Sequence, residues 1–136
     1  MIDVAYIALG SNVGDRDAHL ARARAALAAL PDSRVVAESS IEETAPLGLI
    51  DQPSFLNQMV AVETSLAPRD LLGHLHAIEA REGRVRRARW GPRTLDLDIV
   101  CFDRQTVDDP DLHVPHREIP NRPFWQRELD ELRRRG

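Results

Sequence analysis

The chain has 136 residues, 43% hydrophobic and 29% charged, which is enough apolar content for one folded domain with its own core. Its single cysteine excludes a disulfide framework and favours a cytoplasmic location, and no apolar stretch approaches the roughly 20 residues that cross a bilayer. The formal net charge of −4 argues against a nucleic-acid surface, so we expect neither nucleic-acid nor membrane partners.

The first half of the sequence predicts a strand, a helix and a second strand. Residues 4–9 are an apolar run that ends in a Gly-Ser-Asn turn, which indicates a buried strand. Residues 17–30 are rich in alanine and leucine and predict a helix that Pro31 ends. Residues 34–42 are β-prone, and residues 44–53 predict a loop because they contain two prolines and a glycine.

The second half predicts a strand, a helix, a strand and a helical tail. Residues 55–64 alternate well enough for a strand, and residues 68–81 predict a helix that begins with a proline and is ended by a glycine. Residues 94–102 predict a further strand, and turn-forming residues cluster at 108–111. Residues 124–135 predict a charged helix.

The order strand, helix, strand, strand, helix, strand is the split βαβ arrangement. We therefore predict an α+β fold, a ferredoxin-like βαββαβ sandwich with an antiparallel sheet and helices packed on it. Since no repeat or linker divides the sequence, we expect a single domain over residues 1–136.

Two aspartates, Asp96 and Asp98, interrupt the predicted strand at 94–102. Aspartate is disfavoured in strands, and side chains at i and i+2 share one face, about 7 Å apart at their Cα atoms. Two like charges so placed repel each other unless a positive charge lies between them. Magnesium accepts one or two carboxylates together with phosphate oxygens and water. The pair is therefore either a magnesium site or, equally on spacing alone, a solvated strand face.

An arginine-rich segment precedes the two aspartates. All 18 basic residues are arginine, and five of them lie between residues 84 and 93. A chain without lysine cannot carry a P-loop, whose lysine contacts the phosphates. Arginine instead pairs phosphate oxygens through its planar fork, and we expect a loop that closes over a ligand, with Trp90 packed on a base or a guanidinium. A surface charge run or an RNA-binding patch is the alternative, but phosphate plus metal accounts for both signs of charge.

The predicted loop at 44–53 and the start of the next strand contain groups suited to a flat heterocycle. Asn57 offers two donors and one acceptor, and Phe55 offers an aromatic face. Taken alone, this stretch is better interpreted as an ordinary Pro/Gly loop with one core phenylalanine.

Together these motifs resemble the 6-hydroxymethyl-7,8-dihydropterin pyrophosphokinase (HPPK) family from about residue 4 to about residue 124. The most specific segment is RWGPRTLDLDI at 89–99. The other matching segments are ALGSN at 8–12, residues 44–57, GRVR at 83–86, and VPH at 114–116 with Arg122.

The resemblance implies transfer of the pyrophosphoryl group of ATP to 6-hydroxymethyl-7,8-dihydropterin, with release of AMP, in folate biosynthesis. It implies ATP as co-substrate and two Mg²⁺ ions bound by Asp96 and Asp98. The implied catalytic residues are these two aspartates with Arg84 and Arg93. The other implied ATP-binding residues are Glu79, Arg86, Arg89, Trp90, Ile99, His116 and Arg122. The implied pterin-binding residues are Thr44, Leu47, Phe55, Asn57 and Phe124.

The sequence also departs from the family pattern. His76 replaces a glutamine that commonly contacts ATP, and Asp111 replaces an arginine often found near the phosphates. The arginine loop is one residue short, and a short charged tail follows Phe124 where the family continues with apolar residues. These departures leave a degenerate, non-catalytic pterin- or nucleotide-binding paralogue as the alternative function. Small molecules are the expected partners, and a monomer is the expected state.

Overall fold

The computed structural model describes residues 2–45, 54–83 and 94–135, which contain seven strands and three α-helices. A 3₁₀ turn at Ile119–Asn121 precedes the last helix. No helix in these three ranges is both long and apolar enough to cross a membrane. In chain order the elements are β1 (Asp3–Ser11), α1 (Arg16–Ala28), β2 (Ser33–Glu38), β3 (Glu42–Thr44), β4 (Phe55–Thr64), α2 (Pro68–Arg81), β5 (Asp96–Phe102), β6 (Val107–Asp109), β7 (Leu112–Val114) and α3 (Pro123–Arg135).

Five strands form one antiparallel sheet in the order β2-β4-β1-β5, with the short β3 also paired to β4. The two longest strands, β1 and β4, therefore lie in the middle, and β5 lies at an edge. This arrangement confirms the predicted α+β, ferredoxin-like fold.

The helices α1 and α2 cover one face of the sheet. Leu20 and Leu27 of α1, with Leu71 and Leu75 of α2, are fully buried against apolar residues of β1, β4 and β5. Each pair is spaced as a helix requires if one stripe is to face the core. The predicted limits of both helices are confirmed to within about two residues.

The helix α3 covers the opposite face. Trp125, Leu129 and Leu132 are buried there against Tyr6 and Met59. Their spacing of four and three residues places them on one stripe, while Arg127 and Asp130 are exposed. The predicted charged tail is thus an amphipathic helix that closes a second core.

The structure differs from the expected single strand at 34–42. The chain pairs with β4 as two strands, β2 and β3, separated at Ser39. There the Ser39 hydroxyl accepts a hydrogen bond from the Met59 N–H, and the Ser39 N–H donates to the Met59 carbonyl. Serine side chains compete in this way with regular backbone pairing. The hairpin β6–β7 was not expected either, because strands of three residues are too short to show alternation.

A β-bulge interrupts the pairing of β5 with β1. Tyr6 is opposite Cys101 while Ile7 is opposite Ile99, so Val100 is the extra residue. The Val100 carbonyl accepts a hydrogen bond from the His116 N–H at 2.8 Å. The bulge therefore attaches the segment after β7 to the side of β5.

Candidate active site

A cleft of about 550 Å³ opens where β1, β4 and β5 meet the β6–β7 hairpin and the start of α3. Every predicted site residue that the structure describes lines it, although they come from β3, β4, β5, α2, α3 and the connection between β7 and α3. These residues are Thr44, Phe55, Asn57, Glu79, Asp96, Asp98, Ile99, His116, Arg122 and Phe124. The other predicted site residues, Leu47, Arg84, Arg86, Arg89, Trp90 and Arg93, lie outside the described residues.

The floor of the cleft is one row of directly paired residues across three strands, and the row continues onto β3 outside the cleft. Asp96 on β5 is opposite Gly10 on β1, Gly10 is opposite Asn57 on β4, and Asn57 is opposite Glu42 on β3. Directly paired residues point to the same face of a sheet, and neighbouring strands lie about 4.8 Å apart. The Asp96 and Asn57 backbones are therefore about 10 Å apart, with only a glycine between them.

The two acidic residues occupy the cleft side of β5. Leu97 and Ile99 alternate with them and are buried in the core below α2. Asp98 is opposite Ala8, so both aspartates face a neighbour with little or no side chain. The space above them is therefore open to a ligand, and carboxylate oxygens are the donors that magnesium prefers.

Glu79 supports this strand from the helix side. It is buried on α2, and its Oε2 accepts a hydrogen bond from the Leu97 N–H at 2.8 Å. Leu97 lies between Asp96 and Asp98, so this bond ties α2 to the part of β5 that carries both acids. Glu79 thus has a positioning contact that its place in the sequence did not reveal.

His116 lies beside the acidic pair in a defined orientation. Its Nδ1 accepts a hydrogen bond from the Glu118 N–H at 3.0 Å, and its Nε2 lies 3.8 Å from Asp98 Oδ1. Burial, with the nearby Arg122 charge, lowers the pKa of His116 and favours the neutral ring. In that neutral ring the proton is on Nε2, because Nδ1 is the acceptor.

Arg122 is held over an aromatic ring at the edge of the cleft. Its guanidinium carbon is 4.4 Å from the centre of the Trp125 ring, which also makes an edge contact with His116 at 4.9 Å. Its Nε is buried and has no hydrogen-bond partner among the described residues. This packing fixes a cation where a phosphate could accept its hydrogen bonds.

The other end of the cleft combines amide, hydroxyl and aromatic groups. The Asn57 amide donates from Nδ2 to Thr44 Oγ1, which fixes the orientation of its side chain. Phe55 lies at the start of β4, and Phe124 at the start of α3. A flat ring with polar edges matches this set of groups.

The two departures noted in the sequence, His76 and Asp111, also line the cleft. Asp111 does not carry an uncompensated charge. Arg69 at the start of α2 donates to both Asp111 oxygens at 3.0 Å and to Asp109 at 2.9 Å. These hydrogen bonds lower the pKa of Asp111.

Several lining residues were not predicted. They are Ala8, Leu9, Gly10, Ala45, Leu72, Leu97, Leu112, His113, Arg117, Glu118 and Trp125. Leu112, His113, Arg117 and Glu118 belong to the unpredicted hairpin or the segment after it, where no periodic signal exists. Gly10 was already part of the ALGSN segment, but its role as floor of the cleft follows only from the strand register.

Comparisons with known proteins agree with this picture. The family model described as 7,8-dihydro-6-hydroxymethylpterin-pyrophosphokinase (HPPK) matches residues 6–134. The chain is 49% identical over 132 residues to the 2-amino-4-hydroxy-6-hydroxymethyldihydropteridine pyrophosphokinase of Pseudomonas aeruginosa, covering 97% of this chain and 82% of that one. It is 46% identical to the protein of the same name from Bacillus subtilis, covering 97% of this chain and 79% of that one. For the Methylorubrum extorquens protein of that name the identity is 48%, covering 94% and 81%.

Proposed function

The chain belongs to the 7,8-dihydro-6-hydroxymethylpterin-pyrophosphokinase (HPPK) family, and on that premise we propose that it transfers the pyrophosphoryl group of ATP to 6-hydroxymethyl-7,8-dihydropterin in folate biosynthesis. The observation that carries this assignment is the floor of the cleft. One row of the sheet joins an acidic residue of β5 to Asn57 of β4, so the reacting ends of two substrates have room to meet between them.

The transfer is a balanced substitution at phosphorus. The hydroxymethyl oxygen forms a bond to the β-phosphorus of ATP, and the bond from that phosphorus to the oxygen bridging the α-phosphate breaks. AMP leaves, and the proton of the alcohol is released. Because little covalent chemistry falls to the protein in such transfers, its residues act by positioning the substrates and by stabilising charge.

Asp96 and Asp98 are the residues that would hold magnesium, with two ions as our proposal. The donor set fits, since both carboxylates face the cleft and their neighbours across β1 are Gly10 and Ala8. Bound there, magnesium would neutralise phosphate charge and make an alcohol in contact with it more acidic. Asp98 and the neutral His116 then define the side of the cleft on which the phosphates lie.

The remaining residues divide between the two substrates. On the ATP side we propose Arg122 and His116 for the phosphates, Ile99 for the adenine, and Glu79 for support. Arg84 and Arg93 are proposed as catalytic phosphate-binding residues. The residues Arg86, Arg89 and Trp90 are proposed to contact ATP as well.

On the pterin side we propose that Asn57 and the backbones of Thr44 and Leu47 bind the polar edge of the ring. Phe55 and Phe124 are proposed to enclose its faces. The hydrogen bond from Asn57 to Thr44 supports this assignment, because it holds the amide in a fixed orientation before the ligand arrives. We also propose that residues 1–136 act as a single domain, as a monomer in the cytoplasm.

Product identity tests the proposed reaction. The chain is incubated with radiolabelled ATP, 6-hydroxymethyl-7,8-dihydropterin and magnesium, and the nucleotide products are separated. AMP in a 1:1 ratio to pyrophosphorylated pterin is the expected result, and none should form without the pterin. Release of ADP would refute the proposal. Calorimetric binding of the pterin and a non-hydrolysable ATP analogue without any AMP would instead support the non-catalytic paralogue.

A further inference from the structure

The carboxylate of Glu128 on α3 is buried, and it has no hydrogen-bond partner among the described residues. Glu128 is 3% exposed, and neither of its side-chain oxygens accepts a hydrogen bond from any described residue. A buried polar group left unpaired in this way is costly, most of all when it is ionised. Glu128 takes no part in the reaction proposed above, so its presence calls for a separate explanation.

The groups around Glu128 explain why it is unpaired. Its cavity of about 320 Å³ is lined by Ser40, Glu42, Arg127, Asp130, Glu131 and Arg134. Two residues with nearby donors, Arg127 and Ser40, bind other carboxylates. Arg127 Nη2 lies 3.1 Å from Glu42 Oε2. The Ser40 N–H and hydroxyl donate to the Glu131 carboxylate at 3.0 and 2.8 Å. From the neighbouring β2 and β4, Ala37, Met59 and Ala61 belong to the apolar cluster that packs against α3.

Glu128 lies on α3 and lines a cavity together with Glu42 of β3, and these two elements both contribute residues to the pterin end of the cleft. It follows Phe124 by one helical turn on α3. Its neighbour Glu42 is on β3, directly opposite Asn57 and two residues before Thr44. A change in the separation of α3 from β3 would therefore move Phe124 relative to Asn57 and Thr44.

We propose that Glu128 is a positioning residue that holds α3 against β3 only while it carries a proton, and so makes the width of the pterin end of the cleft depend on pH. The neutral carboxyl fits beside Glu42 and Glu131, whereas the carboxylate repels both and draws water into the cavity. This role rests on the proposed function, because it assigns that end of the cleft to the pterin.

The energetics agree with the geometry. Burial, together with the charges of Glu42 and Glu131, raises the pKa of Glu128 to about 8, with Arg127 acting in the opposite direction. The proton is therefore retained at neutral pH and released in a mildly alkaline range. The pterin end should respond more strongly than the ATP end. None of the ATP-side residues proposed here lies on α3 or β3, and Arg122 and His116 only contact α3 at Trp125.

The first test needs no substrate. In a Trp90→Phe background Trp125 is the remaining tryptophan, and it lies one turn before Glu128. We expect its fluorescence to show a transition centred near pH 8 in the chain with Glu128, and no such transition with Glu128→Gln. Asp130→Asn, an exposed change beside the same cavity, is the matched control and should keep the transition. A transition that survives Glu128→Gln would overturn the proposal.

The second test measures steady-state kinetics of the native chain and Glu128→Gln near pH 7 and near pH 9. At each pH we compare the KM of the native chain with the KM of Glu128→Gln. From pH 7 to pH 9 we expect this ratio to rise about fivefold for the pterin and by a smaller factor for ATP. Equal ratios at both pH values for the pterin would refute the positioning role. Absence of AMP at neutral pH would refute the proposed function instead, and the fluorescence test would still decide the role of Glu128.

Discussion

Gly10 on β1 is paired directly with Asn57 on β4, and a Cβ atom at Gly10 would be 3.3 Å from Asn57 Oδ1 and 3.6 Å from the Phe55 ring. Because glycine has no side chain, Asn57 and Phe55, two of the proposed pterin-binding residues, can occupy the space above it. Its own backbone is ordinary extended strand, so the requirement concerns room and not conformation.

Gly10→Val is expected to displace Asn57 and Phe55 and to raise the pterin KM by about tenfold or more, while the ATP KM changes little. Steady-state kinetics with each substrate varied in turn would measure this. Gly73→Ala is the control, because no atom lies within 4 Å of the added Cβ and the helix α2 should gain up to about 1 kcal/mol. Equal effects of Gly10→Val on both KM values would contradict the assignment of this end to the pterin.

Asp96→Asn and Asp98→Asn should each lower kcat/KM by at least about a hundredfold, because each removes a carboxylate proposed to bind magnesium. The melting temperature without magnesium should stay within about 3 °C of the native value. Asp103→Asn, an exposed change just after β5 and outside the cleft, should leave activity unchanged. A large loss of stability in the first two variants would make the pair structural.

Glu79→Ala should lower the free energy of unfolding by about 1–3 kcal/mol, because the buried Leu97 N–H loses its acceptor. Activity should fall further than stability alone explains, since the strand segment carrying both acids is released. Glu79→Gln keeps an acceptor oxygen and should recover most of both. Urea denaturation and kcat measurements would check this, and equal damage by the two substitutions would show that the hydrogen bond is not what matters.

Glu128 predicts a pH dependence of stability. The ordinary pKa of the group is 4.5 and its folded pKa is about 8, so between these values the folded chain holds a proton that the unfolded chain has released. Raising the pH through this window therefore lowers the free energy of unfolding, by at most about 1.4 kcal/mol per pH unit, and the effect ends above the folded pKa. The stabilisation by Glu128→Gln should accordingly grow from acid to mildly alkaline pH in denaturation curves. A constant difference would show that Glu128 does not titrate in this range.

Arg69 and Asp111 predict a charge-compensation effect on ATP. Arg69→Gln removes the cation that pairs with the Asp111 carboxylate in the cleft wall. The unpaired negative charge should repel the phosphates and raise the ATP KM severalfold at low salt. Asp111→Asn alone should not, and the double variant should return to the level of Asp111→Asn. If the pair instead served only to anchor the hairpin, Asp111→Asn would impair ATP binding as much as Arg69→Gln does. A double-mutant cycle on the ATP KM separates the two.

The elements that the sequence predicts best are those whose signal is local. The helix α2 begins at Pro68 and ends at Arg81, two residues before Gly83, whose φ of 79° only glycine adopts easily. Both limits are therefore visible in the sequence. The alternation around Asp96 and Asp98 predicts their common face without any tertiary information. The apolar stripe of α3 is likewise visible in the sequence, at Trp125 and Leu129. The sheet face on which it packs is assembled from β1, β4 and β5, so the sequence of α3 alone does not identify it.

Other features depend on partners distant in sequence. At the break between β2 and β3, the Ser39 N–H donates to the Met59 carbonyl and the Ser39 hydroxyl accepts from the Met59 N–H. No local sequence preference predicts this pair of hydrogen bonds. The convergence of Thr44, Glu79 and Phe124 on one cleft likewise depends on strand order and register. The family resemblance anticipated these residues, whereas composition and periodicity alone did not.

The row through Asp96, Gly10 and Asn57 ties substrate geometry to the backbone ladder. A shift of one residue in the pairing register of β5 would turn every one of its side chains to the opposite face of the sheet. Asp96 and Asp98 therefore cannot change position gradually along the strand. They are either in register or withdrawn into the core. Amide exchange at the β5 edge should therefore report directly on how often the molecule is unable to accept its nucleotide.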